Sequence, residues 1–76
     1  MTNPILNLTG VPCPINFVRT KLKLDAMQSG EILEVLLDDG EPITSVSLSI
    51  TEEGHTILEK TQTENQVWLL KIVRNS

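Results

Sequence analysis

Ile32-Leu33-Glu34-Val35-Leu36-Leu37 is the most apolar run of the chain. The run starts after Ser29-Gly30 and ends at Asp38-Asp39-Gly40, and both flanking segments consist of turn-forming residues. A short apolar segment with turn signals at both ends is typical of a strand buried in the middle of a sheet. We therefore predict a central strand over residues 32–37 and place the other elements around it.

The sequence before this strand predicts a short strand and then a helix. Ile5–Leu8 is a short strand candidate that is closed by Gly10. Pro14–Met27 contains no internal breaker, has Pro at a first helical position and ends before Gly30. We expect Cys13 to hold the capping position, so that the backbone N–H groups of the first helical turn remain partly free.

The predicted first helix carries apolar residues on two sides. One side contains Phe17, Leu24 and Met27 together with Thr20, and the roughly opposite side contains Ile15, Val18, Leu22 and Ala26. We assign the first side to the core, because its last residues lead into the turn before the central strand. The second side then forms a partly exposed docking surface beside Cys13, unless the helix is buried on both sides or mediates dimerisation.

The segment after the central strand has an ambiguous pattern. Apolar and small polar residues alternate over Ser45–Thr51, as in a strand, although the same residues also fit a short helix. We predict a helix that begins near Val46 or Leu48, since Pro42 argues against an earlier helix interior. Its end is indicated by Glu52-Glu53-Gly54, with Gly at the position where helices commonly terminate.

The last third of the chain predicts a β-hairpin. Two extended segments, His55–Thr63 and Gln66–Arg74, are separated by Glu64-Asn65. The predicted order of elements is therefore β-α-β-α-β-β in one domain.

Composition limits the classes of function. The 76 residues include six Lys and Arg against ten Asp and Glu, and the net charge of −4 has the wrong sign for a protein that mainly binds phosphates. One Cys excludes an internal disulfide, and one His with one Cys cannot form a four-ligand zinc site. Neither a signal peptide nor a run of about 18 apolar residues is present, so we expect a cytoplasmic protein.

The single cysteine is the strongest candidate for chemistry. A thiol at the start of a helix lies at the positive end of the helix dipole, which favours the nucleophilic thiolate. The alternative is a small buried hydrophobic residue, as many free cysteines are. Because no second Cys can resolve an intermediate, a reactive Cys13 favours transfer between proteins over a dithiol cycle.

These features resemble the TusA/SirA family of small sulfur-carrier proteins from Leu6 to Arg74. The resemblance is carried by Pro12-Cys13-Pro14 at the first helix, Leu24-x-x-Met27 at its end, Gly30-Glu31, and Asp38-Asp39 after the apolar strand. It implies a two-layer α/β sandwich in which two helices cover one face of a mixed four-stranded sheet. It also implies a cysteine that carries sulfur as a persulfide.

The resemblance implies roles for the residues around the thiol. Cys13 matches the sulfur acceptor of the family and Pro14 the first proline of its Cys-Pro-x-Pro motif, with Pro12 as a further supporting residue. Asn16 replaces the second proline, which restores a backbone N–H and adds an amide that could bond near the sulfur. A possible partner-docking surface consists of Ile15, Val18, Arg19 and Leu22.

The implied partners are a sulfur-donor protein, such as a cysteine desulfurase, and a downstream sulfur acceptor, with no cofactor and no metal. We expect a monomer or weak homodimer that contacts neither membrane nor nucleic acid directly. One alternative is a non-catalytic interaction or regulatory module that binds through Ile15, Val18 and Leu22. Another is an RNA-binding domain with the same element order, which the acidic charge and scarce aromatic residues disfavour.

Three other features are better explained by structure than by function. His55 is a weak candidate for a general base, since the element order gives no reason to place it near Cys13. Asp38-Asp39-Gly40-Glu41 lacks the ligand spacing of a calcium loop. Trp68 alternates with Leu70 and Ile72, which favours packing against the sheet.

Overall fold

The elements follow the predicted β-α-β-α-β-β order. The computed structural model describes residues 4–64 and 66–75, so Asn65 of the predicted hairpin turn lies outside the described residues. The elements are β1 (Ile5–Asn7), α1 (Ile15–Asp25), β2 (Ile32–Asp38), α2 (Glu41–Glu52), β3 (Thr56–Glu64) and β4 (Val67–Val73). Within the described ranges, no helix has the length and apolarity needed to cross a membrane.

The four strands form one mixed sheet in the order β1-β2-β4-β3. Strand β1 pairs with β2 in parallel, while β4 pairs antiparallel with both β2 and β3. This confirms the predicted α/β sandwich, with the two helices on one face of the sheet. Since β1 and β2 are parallel and each leads into a helix, α1 and α2 both begin at the end of the sheet where β2 ends.

The core lies between the helices and one face of the sheet. Alternate residues of β2 are fully buried, namely Leu33, Val35 and Leu37. Their buried apolar partners in the rest of the chain are Leu8, Leu24, Ile43, Val46, Ile50, Leu70 and Ile72. Burial of apolar area in one contiguous cluster is the main stabilising contribution in a domain of this size.

The predicted orientation of the first helix is correct. Leu24 and Thr20 are fully buried, and Phe17 and Met27 pack against the core from its margin. The opposite side is exposed and contains Ile15, Val18, Leu22 and Ala26.

The second helix is confirmed as a helix, but the predicted start near Val46 or Leu48 is wrong. The helix begins at Glu41, directly after Gly40, and Pro42 lies in its first turn. A proline is tolerated there because the N–H groups of the first turn have no intrahelical acceptor. The C-terminal boundary is correct, since Glu53 caps the helix and Gly54 follows with a φ of 96°.

The carboxylates at the end of α2 are unfavourable to the helix dipole, and an ion pair offsets this cost. Lys21 Nζ of α1 lies 2.8 Å from Glu53 Oε1 and 4.0 Å from Asp25 Oδ2. The hydrogen bond between Lys21 and Glu53, followed by the charge of Asp25, raises the pKa of Lys21. The same hydrogen bond lowers the pKa of Glu53. The pair thus joins the two helices at the surface.

Candidate functional site

The single cysteine is an exposed free thiol in the turn between β1 and α1. Pro14 occupies the capping position of α1 and makes no side-chain capping hydrogen bond. The prediction that Cys13 itself holds the capping position is therefore wrong by one residue. The peptide bond between Cys13 and Pro14 is cis.

Hydrogen bonds fix the loop before Cys13 to the end of the central strand. The Leu8 N–H donates to Leu36 O at 2.9 Å, and the Val11 N–H donates to Leu8 O at 3.1 Å. The Gly10 N–H donates to Asp38 Oδ2 at 2.7 Å. The backbone that leads to the thiol is thus attached to the end of β2.

The N–H groups of the first turn of α1 are less available than predicted. Asn16 N–H donates to Pro12 O at 3.1 Å, and Val18 N–H donates to Pro14 O at 3.0 Å. Phe17 N–H donates to the side-chain Oδ1 of Asn16 at 2.7 Å. Among the described residues, the Ile15 N–H is the donor of this turn that has no partner. We expected several N–H groups of the first turn to be partly free, and within the described residues the Ile15 N–H is the one that is.

Asn16 departs from its expected environment. Its residue surface is fully buried, whereas the four residues before it, 12–15, are all exposed. Its Nδ2 has no hydrogen-bond partner in the described part of the chain. Sequence reasoning placed this amide near the sulfur but did not predict that it would be buried. The sequence signal for its burial was its position four residues before Thr20, which places the two residues on the same side of α1. Thr20 is also buried.

The exposed side of α1 forms a continuous apolar stripe that starts next to Cys13. Ile15 and Val18 are each 47% exposed and Leu22 is 64% exposed. Arg19 is also exposed on this helix. Three of the six cationic residues of the chain, Arg19, Lys21 and Lys23, belong to α1. Since Lys21 is paired with Glu53 and Asp25, Arg19 is the cation that accompanies the apolar stripe.

The other residues singled out from the sequence lie elsewhere or have structural roles. His55 precedes β3, which lies at the opposite edge of the sheet from β1, and its Nδ1 accepts a hydrogen bond from Asn75 N–H at 3.0 Å. Trp68 packs against the core and donates to Asp39 Oδ1 at 2.7 Å. No group of three or more His, Cys, Asp or Glu within residues 4–64 and 66–75 is arranged to hold a metal ion.

Comparison with known proteins identifies relatives along nearly the whole chain. A protein of Archaeoglobus fulgidus named "Putative sulfur carrier protein" is 39% identical over 70 residues, which cover 92% of this chain and 80% of the relative. The Escherichia coli K12 protein named "Putative sulfur carrier protein YedF" is 35% identical over 54 residues, or 71% of this chain and 70% of the relative.

Solved structures share the fold. A crystal structure of a SirA-like protein from Desulfitobacterium hafniense superposes with a TM-score of 0.81 at 23% identity, covering 95% of this chain and 97% of that one. A solution structure of a Helicobacter pylori protein has a TM-score of 0.69 at 18% identity over the same shares. The family described as Sulfurtransferase TusA matches residues 5–74. The chain therefore belongs to the TusA family of sulfurtransferases.

Proposed function

We propose that the protein is a sulfur carrier that accepts sulfur on Cys13 as a persulfide and passes it to a second protein or to a cofactor precursor. The observation that carries this proposal is the position of the thiol. Cys13 is exposed, lies at the start of a helix and is held on a loop that is hydrogen-bonded to β2. Exposure allows an incoming persulfide to reach the sulfur, and a helix N-terminus favours the nucleophilic thiolate.

The proposed chemistry consists of two sulfur transfers without net oxidation or reduction. In loading, the Cys13 thiolate attacks the outer sulfur of a donor persulfide, and the donor cysteine leaves as a thiolate. In delivery, an acceptor nucleophile attacks the outer sulfur of the Cys13 persulfide, and Cys13 leaves as a thiolate. The chain has no second cysteine that could intercept the persulfide.

Pro12, Pro14 and Asn16 support the thiol in this proposal by shaping its turn. Pro12 and Pro14 supply the carbonyl groups that accept hydrogen bonds from the first turn of α1. Both prolines have a restricted φ, which limits the conformations of the turn.

We propose that donor and acceptor proteins dock on the stripe formed by Ile15, Val18, Arg19 and Leu22. The apolar residues are large and exposed, and they adjoin the thiol. Arg19 adds a positive charge that would favour a partner with an acidic surface. A cysteine desulfurase is the donor class that generates a protein persulfide, and this donor is part of the proposal.

The proposed carrier reaction also leads us to expect a particular cellular compartment and oligomeric state for the protein. The thiol must be regenerated in each cycle, which fits the reducing cytoplasm. Each partner must reach Cys13 in turn, which fits a monomer or a weak homodimer. The acidic net charge argues against direct contact with nucleic acid.

A relay assay tests the proposal. A cysteine desulfurase is loaded with radiolabelled sulfur from cysteine and then mixed with the wild-type chain or with the Cys13→Ser variant. We expect labelled sulfur on the wild type and none on Cys13→Ser, and both proteins should have the same circular dichroism spectrum. Equal labelling of the two chains would reject Cys13 as the acceptor. Unlabelled wild type that still binds a partner through the stripe would favour a non-catalytic interaction module.

A further inference from the structure

Asn16 contains a buried hydrogen-bond donor that the structure does not use. The residue is fully buried, yet its Nδ2 has no partner among the described residues. An amide donor that has lost water without gaining an acceptor destabilises the folded state. Native proteins contain few such groups, and each requires a physical explanation.

The amide group lies at the N-terminal end of α1. Backbone N–H groups of a helix point toward its N-terminus, and Asn16 Oδ1 accepts the hydrogen bond from Phe17 N–H at 2.7 Å. The carboxamide is thereby held on the N-terminal side of Phe17 N, at the end of the helix where Cys13 lies.

A sulfur-loaded cysteine differs from the free thiol at this position. Loading adds one sulfur atom, and the outer sulfur of a deprotonated persulfide carries negative charge and accepts hydrogen bonds. Hydrogen bonds to charged groups are stronger than those between neutral groups. The loaded state thus supplies the kind of acceptor that Nδ2 lacks in the unloaded state.

We infer that Asn16 is a positioning residue for the loaded carrier, in which its Nδ2 donates a hydrogen bond to the outer sulfur of the Cys13 persulfide. The inference rests on the proposed function and adds a role for this chain's Asn16. The unsatisfied donor raises the free energy of the unloaded protein, and formation of the persulfide relieves this cost. Asn16 therefore shifts the loading equilibrium toward the persulfide.

The test loads the full chain chemically, without a partner protein. Inorganic polysulfide transfers one sulfur to the Cys13 thiolate, and the shortened polysulfide leaves with the electron pair of the broken sulfur–sulfur bond. The fraction of persulfide at each polysulfide concentration is read from the intact mass. The thermal midpoint of each protein is measured before and after loading. The change on loading is then compared between proteins, which removes the effect of a substitution on the stability of the unloaded protein.

Two variants remove the donor in different ways. Asn16→Leu removes the whole amide, whereas Asn16→Asp keeps an acceptor for Phe17 N–H and removes Nδ2. We expect both to lower the loading equilibrium constant by about ten-fold. We also expect both to show a smaller rise in thermal midpoint on loading than the wild type. Thr20→Val is the matched control, because Thr20 is buried one turn further along α1 and donates to Asn16 O at 2.9 Å. It should alter stability and leave loading unchanged.

The outcomes separate this inference from the proposed function. Equal loading of wild type, Asn16→Leu and Asn16→Asp would overturn the role of Asn16 alone. If Asn16→Leu does not fold, the result for Asn16→Asp decides. A wild-type chain that takes no sulfur from polysulfide would overturn both proposals. Normal loading by polysulfide with no transfer from a desulfurase would count against the proposed relay and leave the comparison of variants valid.

Discussion

The carboxylate of Asp38 accepts a hydrogen bond from the Gly10 N–H at 2.7 Å and so joins the end of β2 to the loop that precedes Cys13. The two residues are 28 positions apart in the sequence. The contact lies at the end of the sheet from which both helices start. It therefore couples the position of the thiol to the strand that contributes most to the core.

Replacement of Asp38 should loosen the thiol loop. For Asp38→Ala we expect a loss of about 1 kcal/mol in the free energy of unfolding, because a hydrogen bond to a charged group is lost from an exposed site. We also expect faster hydrogen exchange at the Gly10 amide. Asp39→Ala is the control, since Asp39 accepts from Trp68 instead. An unchanged exchange rate at Gly10 in Asp38→Ala would contradict this assignment.

The apolar stripe on α1 should affect transfer between proteins but not the reactivity of the thiol. Val18→Asp places a charge in the stripe, so we expect slower transfer from a desulfurase and unchanged loading by inorganic polysulfide. Leu58→Asp is a matched control, because Leu58 is 54% exposed on β3, at the far edge of the sheet. Equal transfer rates for the two variants would exclude the stripe as the docking surface.

The ion pair between the two helices should contribute to stability in a pH-dependent manner. The pKa of Glu53 is lower in the folded state than its ordinary value of 4.5, because Lys21 donates a hydrogen bond to it. The unfolded chain therefore takes up a proton at higher pH, and the contribution present above about pH 4.5 is lost as the pH falls through the lowered pKa.

Urea denaturation of Lys21→Met over a range of pH checks this contribution. We expect the variant to be less stable than the wild type at neutral pH and the difference to disappear at low pH. Lys23→Met should show no such convergence, because Lys23 has no ion pair among the described residues. A difference between Lys21→Met and wild type that persists in acid would contradict the ion-pair explanation.

Gly40 should be required for the start of α2. Its φ of 88° and ψ of −129° lie in a region that residues with a Cβ rarely adopt. A Cβ at this position would contact no neighbouring atom within 4 Å, so the expected cost is backbone strain. We predict that Gly40→Ala lowers the free energy of unfolding by about 1–3 kcal/mol. Full stability of this variant in urea denaturation would show that the turn relaxes without strain.

Local sequence patterns predicted the order of the elements, and the resemblance to the TusA/SirA family implied how they assemble into a sandwich. The apolar run that forms β2 and the uninterrupted segment before it that forms α1 both have clear boundaries at turn residues. The two-sided pattern of α1 left the core-facing side open, and the position of Leu24 and Met27 before the turn to β2 led to the correct choice. The start of α2 was missed because Pro42 was treated as a breaker, although a proline in the first helical turn loses no intrahelical hydrogen bond.

The position of Cys13 at the start of the first helix was predicted from the sequence, but its surroundings were not. The contact between Asp38 and Gly10 joins distant segments and depends on the register of β1 against β2, which the sequence does not specify. The burial of Asn16 depends on how α1 packs against the rest of the fold. The partners of the first-turn N–H groups depend on the turn at Pro12 and Pro14, for which there was no sequence signal.

The most direct test of the central claim is the mass of the peptide that contains Cys13. The full chain is loaded by a desulfurase with heavy-sulfur cysteine, separated from it and divided into two portions. One portion is digested at once, and the other is digested after incubation with a thiol acceptor. We predict one added heavy sulfur on the Cys13 peptide in the first portion and its loss to the acceptor in the second. A Cys13 peptide that never gains sulfur, or that retains it in the presence of the acceptor, would contradict the carrier function.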